Sequence, residues 1–249
     1  MKYIPGVTKM RQIFEEDYVL RVSDFDKYNR IKPSAILELF QDAARQHAEE
    51  LGVGHDAMLA RSYFWVIIRI KFKIISNPVS SQKVVVKTWP LKPHRLCYRR
   101  EFCIENEAGE SLIAGSSEWA VLHSEKRRLI ADANLYPFTD GYHTEMIFED
   151  KFQKVFDFEA SEESRVVIPG FSEIDVNNHV NNTKYANYVM DTVAPKQGDV
   201  LKVFQIDYRK EVMEGTQLHL YHTKEGKEVF SKGVSDNGDI MFACKLEYK

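Results

Sequence analysis

A long helix followed by four strands occurs twice along the chain, and this repeat limits the fold more than any other feature. In the first half, apolar side chains recur at helical spacing from Ile36 to Leu51. Pro33 suits the first turn of this helix, and Gly52 suits its end. Segments rich in aromatic and β-branched residues follow, at 63–75, 83–89, 98–105 and 111–123. This order predicts an α+β fold with an antiparallel sheet.

The second half repeats the same order with a shorter helix. Tyr185, Tyr188, Val189 and Thr192 follow at helical spacing, after a capping pair predicted at Asn181-Asn182. The strands predicted after this helix are 200–208, 217–223, 228–234 and 239–248.

The two halves align without a gap at an offset of 149 residues. At this offset three polar residues coincide in each half, namely Ser23, Asp26 and Asn29 with Ser172, Asp175 and Asn178. The same offset superimposes the two helical stripes, which favours an internal duplication. We therefore predict an N-terminal module at 1–134, a linker at 135–150 and a C-terminal module at 151–249. The linker has no sustained hydrophobic period and contains Pro137 and Gly141.

Charge and cysteine usage exclude several classes of function. The net charge of −3 gives no support to a nucleic-acid-binding protein. The apolar run at 63–68 is too short to cross a bilayer. Three cysteines without a C-x-x-C pair, at 97, 103 and 244, fit a reducing compartment. Because the first residues also lack the apolar core of a signal peptide, we expect a cytoplasmic protein.

Polar residues cluster immediately before the second predicted helix. Asp175, Asn177 and His179 lie two residues apart, so a locally extended backbone would point all three to one side. The free N–H groups at the helix start favour negative charge nearby. Asparagine-rich segments are also typical of ordinary turns and caps, which is the alternative interpretation, and a lone histidine is more often structural than catalytic.

The segment from Phe171 to Tyr185, FSEIDVNNHVNNTKY, resembles the signature D-x-N-x-H-V-N-N-x-x-Y of acyl-acyl-carrier-protein thioesterases. Shorter matches occur in the same order along the chain: Gln41–Ala48, Trp65–Arg69, Thr88–Pro90 and Tyr208–Glu211. The resemblance implies a double hotdog, two tandem modules each with a long helix wrapped by an antiparallel sheet. It also implies hydrolysis of acyl-acyl-carrier-protein thioesters to free fatty acids in fatty acid biosynthesis, without a cofactor. The compact chain looks like a bacterial member of that family.

The resemblance assigns the catalytic set Asp175, Asn177, His179 and Glu211. It places Glu211 on a central strand of the second sheet as the base that activates water, whereas a solvated surface charge is the alternative. Asn177 and His179 would polarise the thioester carbonyl or hold the water, and Asp175 would orient them. The family often has a cysteine immediately after the acid, and Val212 at that position excludes a thiol nucleophile there.

The first repeat carries a different set of residues at the aligned positions. Asp26 is retained, but Tyr28 and Arg30 replace the asparagine and the histidine. We therefore expect one catalytic site per chain, in the second module. The first module would hold the acyl chain in a tunnel near Phe40, Phe64 and Trp65, although these residues fit a plain core equally well.

The partner implied by the resemblance is an acyl carrier protein with a fatty acyl chain, and a homodimer is left open. Carrier proteins are acidic, so basic residues are candidates for docking: Lys92, Arg95, Arg99, Arg100 and 126–128. The sequence suggests neither a metal site nor a nucleotide-binding loop. Three alternative functions stay open: a non-catalytic acyl-thioester sensor, an acyl-CoA thioesterase and a hotdog dehydratase. Chain-length preference does not follow from the sequence.

Overall fold

The structure, a computed structural model, describes residues 10–139, 141–149, 152–159 and 163–249. The predictions about the first nine residues, and those about linker positions 140 and 150, lie outside the described residues. In the part of the chain that is described, no helix is both long and apolar enough to span a bilayer.

The first half contains the predicted helix and strands together with three further elements. Helix α1 spans Pro33–Glu50, and Gly52 follows it with a φ of +65°, the left-handed conformation expected at a helix end. The strands and the remaining short helix are β1 (Phe14–Val19), α2 (His55–Leu59), β2 (Tyr63–Ile74), β3 (Lys83–Pro90), β4 (Tyr98–Asn106), β5 (Ser111–His123) and β6 (Leu129–Ile130). Strands β1 and β6 and helix α2 were not predicted.

The second half repeats this order with shorter elements. They are β7 (Arg165–Val167), α3 (Lys184–Val193), β8 (Leu201–Tyr208), β9 (Leu218–Glu225), β10 (Glu228–Ser235) and β11 (Ile240–Tyr248). The cap of α3 lies at Thr183, later than predicted, because the Asn181 side chain accepts hydrogen bonds from the Thr183 N–H and hydroxyl instead. Strand β7 has only three residues and was not predicted.

The strands form one antiparallel sheet in the order β1-β3-β4-β5-β2-β8-β11-β10-β9-β7, with β6 paired to β5. The order is symmetric about the β2–β8 pair, since each half contributes the equivalent strand at each position. Across this junction Phe72 lies opposite Phe204, and their rings stack with centroids 5.2 Å apart. The two modules are therefore joined edge to edge, through backbone pairing and buried aromatic rings.

Helix α1 packs against one face of the sheet through its predicted apolar stripe. Phe40 is fully buried and stacks on Phe102 of β4, with ring centroids 4.5 Å apart. Gly115 of β5 allows this approach, because a Cβ there would lie 2.5 Å from the Phe40 ring. Phe40 is thus part of the core, and together with α3 on the second half this gives each module one helix against one sheet.

The connection between the halves crosses the opposite face of the sheet. Glu101 of β4 accepts the Ile147 N–H at 2.9 Å, and Asp207 of β8 accepts the Val155 N–H at 2.9 Å. Both carboxylates alternate with core residues along their strands, so they point away from the helices. Within the predicted linker, Leu135 and Tyr136 are buried against the first half.

Candidate active site

The segment before α3 folds into a compact turn that also occurs before α1. The Asp175 N–H donates to the His179 carbonyl at 2.9 Å, and the Asn178 N–H donates to the Asp175 carbonyl at 3.0 Å. In the first half, Asp26 bonds Arg30 at 2.8 Å and Asn29 bonds Asp26 at 2.9 Å in the same way. The residues aligned at an offset of 149 therefore occupy equivalent positions in three dimensions.

The turn corrects the conditional expectation of an extended strand at 175–179. Asn178 has a φ of +62°, as Asn29 has a φ of +58°, and this left-handed residue reverses the chain. The Asp175 carboxylate accepts the Asn177 N–H at 2.8 Å. Asp175 thus fixes the turn through its side chain, which is a common role of aspartate in turns.

Glu211 lies beside His179, but it is not on a strand as the sequence predicted. Strand β8 ends at Tyr208, because the N–H groups of Arg209 and Lys210 both turn to the Met241 carbonyl. The chain then leaves the sheet, and the Val212 carbonyl accepts the Val180 N–H at 2.8 Å.

This backbone hydrogen bond brings the acid to the turn. The His179 Nε2 atom lies 3.4 Å from a Glu211 carboxylate oxygen, and the two side chains are 29% and 44% exposed. Of the four predicted site residues, His179 and Glu211 are therefore in contact, and Asp175 shares the turn with His179. Both side chains are open to a ligand from solution.

Asn177 is exposed at the tip of the turn, and among the described residues its side chain accepts or donates no hydrogen bond. An amide in this state is available to a ligand. Asn181 and Asn182 differ, since Asn181 caps Thr183 and the Asn182 carbonyl accepts the Tyr208 hydroxyl at 2.9 Å. These contacts give the pair a structural role, although the predicted helix cap itself lies at Thr183.

One residue of the first half reaches the site, and the sequence did not predict it there. The Arg127 Nη2 atom lies 3.7 Å from the Glu211 carboxylate, and its guanidinium stands 5.3 Å from the centroid of the Phe64 ring. Arg127 belongs to the basic run 126–128, which the sequence offered only for docking. Its proximity to Glu211 arises from the β2–β8 junction, which no short sequence motif encodes.

The neighbours of Glu211 are closely packed. Val212 is fully buried in the core, so the position where the family often has cysteine holds a packing side chain. Burial raises the pKa of the Tyr185 hydroxyl strongly, and the negative charges of Asp175 and Glu211 raise it further. Tyr185 therefore remains a neutral phenol beneath the two carboxylates.

The three cysteines are not suited to nucleophilic attack. Burial raises the pKa of the Cys97 thiol to about 11, with a further contribution from Glu118, and burial also raises the pKa of Cys103 and Cys244. A thiol with a raised pKa is a poor nucleophile near neutral pH. Within the residues that the structure covers, no group of three or more His, Cys, Asp or Glu side chains is placed to hold a metal ion.

Two of the basic docking candidates are not on the surface. Arg99 donates to the Glu101 carboxylate at 2.6 Å and to the Phe148 carbonyl at 2.6 Å. Arg100 is 5% exposed and donates to His47 and Thr88 in the interior. These arginines lie on opposite faces of the sheet and are bonded within the molecule, which disfavours both of them as docking candidates.

A cavity of about 810 Å³ lies at the first-half turn and not at the signature turn. Tyr28 and Arg30 line it, together with residues of α3 and the start of β8. None of the four predicted catalytic residues contributes to its wall. The geometry of His179 and Glu211, and not the volume of this cavity, therefore locates the candidate active site.

Both halves of the chain match the same family of known proteins. The profile of the acyl-ACP thioesterase N-terminal domain matches residues 11–133, and the profile of the C-terminal domain matches residues 157–249. An acyl-[acyl-carrier-protein] hydrolase of Cuphea viscosissima is 24% identical over 214 residues, which cover 80% of this chain and 52% of that protein. The chain thus spans about half the length of this curated relative.

Two solved structures share the fold. An acyl-ACP thioesterase from Bacteroides thetaiotaomicron superimposes with a TM-score of 0.84 at 19% identity, covering 96% of this chain and 98% of that one. The 12:0-ACP thioesterase from Umbellularia californica superimposes with a TM-score of 0.83 at 21% identity, covering the same shares. The likeness confirms the predicted double-hotdog architecture.

Proposed function

The chain belongs to the acyl-ACP thioesterase family, and from this premise we propose that it hydrolyses acyl-acyl-carrier-protein thioesters and releases free fatty acids. The observation that carries the proposal is the contact of 3.4 Å between His179 and Glu211. Asn177 shares the turn with His179, and its side chain bonds nothing among the described residues. Thioester hydrolysis needs a base for water and a donor for the oxyanion, and these side chains have the chemistry for both roles.

In this proposal the Glu211 carboxylate takes a proton from a water molecule while the oxygen of that water attacks the thioester carbonyl carbon. Asn177 and His179 polarise that carbonyl or hold the water, and Asp175 keeps the turn in shape through the Asn177 N–H. When the tetrahedral intermediate collapses, the C–S bond breaks. The leaving thiolate then takes the proton that Glu211 removed from the water. The products are a fatty acid and the free thiol of the carrier.

The Arg127 guanidinium lies next to the Glu211 carboxylate, and in this mechanism it helps to hold that carboxylate in place. At 3.7 Å and with half or more of the Arg127 side chain exposed, the pair is a weak one. Arg127 is therefore a positioning residue for Glu211 in this proposal.

The organisation, compartment and assembly of the chain complete the proposal. We propose modules at 1–134 and 151–249 joined by the linker 135–150, with the acyl chain held in the first module. All three cysteines are unpaired, which supports a reducing compartment such as the cytoplasm. The acyl carrier protein is the proposed partner, and a homodimer is the assembly to test by light scattering.

The experiment is a measurement of thiol release from purified acyl carrier protein loaded with saturated chains of graded length. We expect turnover by the unaltered protein and its loss in His179→Ala, with the same unfolding temperature in both. Binding of the acyl carrier without thiol release would identify a sensor instead. A higher kcat/KM with acyl-CoA than with the matching carrier substrate would identify an acyl-CoA thioesterase.

A further inference from the structure

The cavity at the first-half turn has the size and the position of a ligand site. Its volume of about 810 Å³ lies within the range of about 300–1,000 Å³ that is common for small-molecule pockets. The cavity is bounded by the turn 26–33, the end of β2, helix α3 and the start of β8. It is therefore formed by both modules, in the place equivalent to the signature turn of the other half.

Arg30 holds this copy of the turn in place and leaves it without a group that could activate water. Its guanidinium donates to the Asp26 carboxylate at 2.9 Å and to the carbonyls of Lys196 and Asp199 at 3.1 and 2.5 Å. These bonds tie the turn to the loop that forms the far wall of the cavity. A guanidinium bonded in this way has no role in activating water.

Part of the wall is apolar and open. Ile75 is 54% exposed and Val200 is 38% exposed, and both line the cavity with Ile74, Met190 and Leu201. Apolar side chains that remain exposed in a concave site are typical of surfaces that bind apolar groups. The wall can take a hydrocarbon chain.

The charges at the rim favour an anion. The acidic side chains of the lining are already bonded: Asp26 to Arg30 at 2.8 Å, Asp191 to Arg165 at 3.5 Å, and Asp199 to the Lys196 N–H at 2.8 Å. Lys27 and Lys32 also line the cavity, and neither contacts a carboxylate among the described residues. Their charges are thus left for a ligand.

One residue of the lining has a buried hydroxyl group. Tyr248 lines the cavity and is 8% exposed, and its hydroxyl has no hydrogen-bond partner in the described part of the chain. The hydroxyl oxygen is itself buried, so it does not face the open space of the cavity and is not counted among the groups that hold the ligand.

We propose that this cavity is a second ligand site, which binds an alkyl carboxylate such as a free long-chain fatty acid. The chain lies along Ile74, Met190 and Leu201, and the carboxylate faces Lys27 and Lys32. The inference goes beyond the proposed function and does not depend on it, since binding is measured without turnover. The turn of the first repeat thus retains a ligand site where the catalytic residues are absent.

The test is calorimetric titration of the full chain with dodecanoate and with dodecan-1-ol, both below their aggregation concentrations. Asn187→Trp fills the mouth of the cavity from an exposed position of α3 whose side chain bonds nothing among the described residues. Arg45→Trp, at an exposed position of α1 outside the cavity, is its matched control. Lys27→Glu reverses a rim charge, and Lys92→Glu is the control at an exposed lysine elsewhere.

We expect Asn187→Trp to reduce the dodecanoate stoichiometry by one per chain, while Arg45→Trp leaves it unchanged. Lys27→Glu should weaken the same site about 3- to 10-fold, and Lys92→Glu should not. Dodecanoate bound as product in the catalytic half survives Asn187→Trp, so the stoichiometry separates the two sites. An unchanged stoichiometry in Asn187→Trp overturns the proposal, and equal affinity for dodecan-1-ol overturns the assignment of a carboxylate.

Thiol release by the same samples keeps this result separate from the proposed function. Hydrolysis without the second binding event refutes this inference alone. Binding of dodecanoate at the second site without hydrolysis refutes the proposed function alone.

Discussion

Arg30 and His179 occupy the same position of the duplicated turn, 149 residues apart, but Arg30 makes more hydrogen bonds and is less exposed. Arg30 is fixed by a carboxylate and two backbone carbonyls, and its side chain is 18% exposed. His179 contacts a single carboxylate, that of Glu211, at 3.4 Å and is 29% exposed. Arg30 therefore links the first turn to the loop at 196–199, whereas the His179 ring of the second turn is accessible from solution.

Arg30→Met should lower stability and leave the chemistry intact. The change removes charge-assisted hydrogen bonds across the two modules and leaves Asp26 without its cation, so we expect a loss of about 2–3 kcal/mol in the free energy of unfolding. The value of kcat should stay within about threefold, because Arg30 lies at the other turn. Urea unfolding and thiol release measure the two effects, and a collapse of kcat equal to that of His179→Ala would show that the site is misplaced.

Asn177→Ala should lower kcat by about 10²–10³-fold if the amide donates to the oxyanion or holds the water. The side chain is exposed and unbonded within the described residues, so the unfolding temperature should not change. The matched control is Asn178→Gly, which keeps the left-handed backbone and removes the neighbouring amide. Normal turnover by a folded Asn177→Ala would return this residue to a role in the turn alone.

Glu211→Gln should lower kcat by about 10²–10⁴-fold, the scale of a lost general base, because the amide is nearly isosteric but cannot take a proton. A variant with Cys97, Cys103 and Cys244 all changed to alanine should keep most of its activity, since burial raises the pKa of all three thiols and makes them poor nucleophiles. Steady-state thiol release from both variants is the measurement. An inactive but folded cysteine-free protein, with an active Glu211→Gln, would contradict water activation.

His47 should make stability depend on pH. Its Nε2 atom meets the Arg11 carbonyl and its Nδ1 atom accepts from Arg100, so the ring is held neutral. Burial and then the positive charge of Arg100 lower the pKa of His47 to about 3. The unfolded chain binds this proton near pH 6.5, so stability decreases as the pH falls from about 6.5 towards about 3.

His47→Gln provides the measurement for that window. Glutamine can retain both hydrogen bonds but does not titrate. Between pH 6.5 and 5 the unaltered protein should lose about 2 kcal/mol more of its unfolding free energy than the variant does. Parallel pH dependences of the two proteins in urea unfolding would show that His47 does not carry the effect.

The sequence predicted the elements that carry a strong hydrophobic period. Helix α1 and strands β2 to β5 are rich in apolar, β-branched or aromatic residues, and their observed bounds differ from the predictions by at most one residue. Strand β1 was missed because three consecutive acidic residues, Glu15, Glu16 and Asp17, interrupt any alternation of apolar side chains. Strand β7 is too short to show any period.

The site was predictable only as far as its local motif extends. The motif brought Asp175, Asn177 and His179 together next to the start of α3, but the expected extended backbone is a turn in the structure. The position of Glu211 off the strand depends on the Val180–Val212 hydrogen bond, and the approach of Arg127 depends on the joining of the two sheets. Both contacts link residues that are distant in the chain, so no local pattern announces them.

The duplication places both copies of the turn in one polypeptide, and the pairing of β2 with β8 joins the two halves into one sheet. In an assembly of two identical subunits, a single substitution would appear at both turns, so the two turns would always carry the same residues. Here each turn can change separately, so the first turn can carry Arg30 while the second turn keeps His179 at the equivalent position. Covalent fusion has thus freed this fold from the symmetry that its sheet still displays, and one half can change its ligand while the other keeps its chemistry.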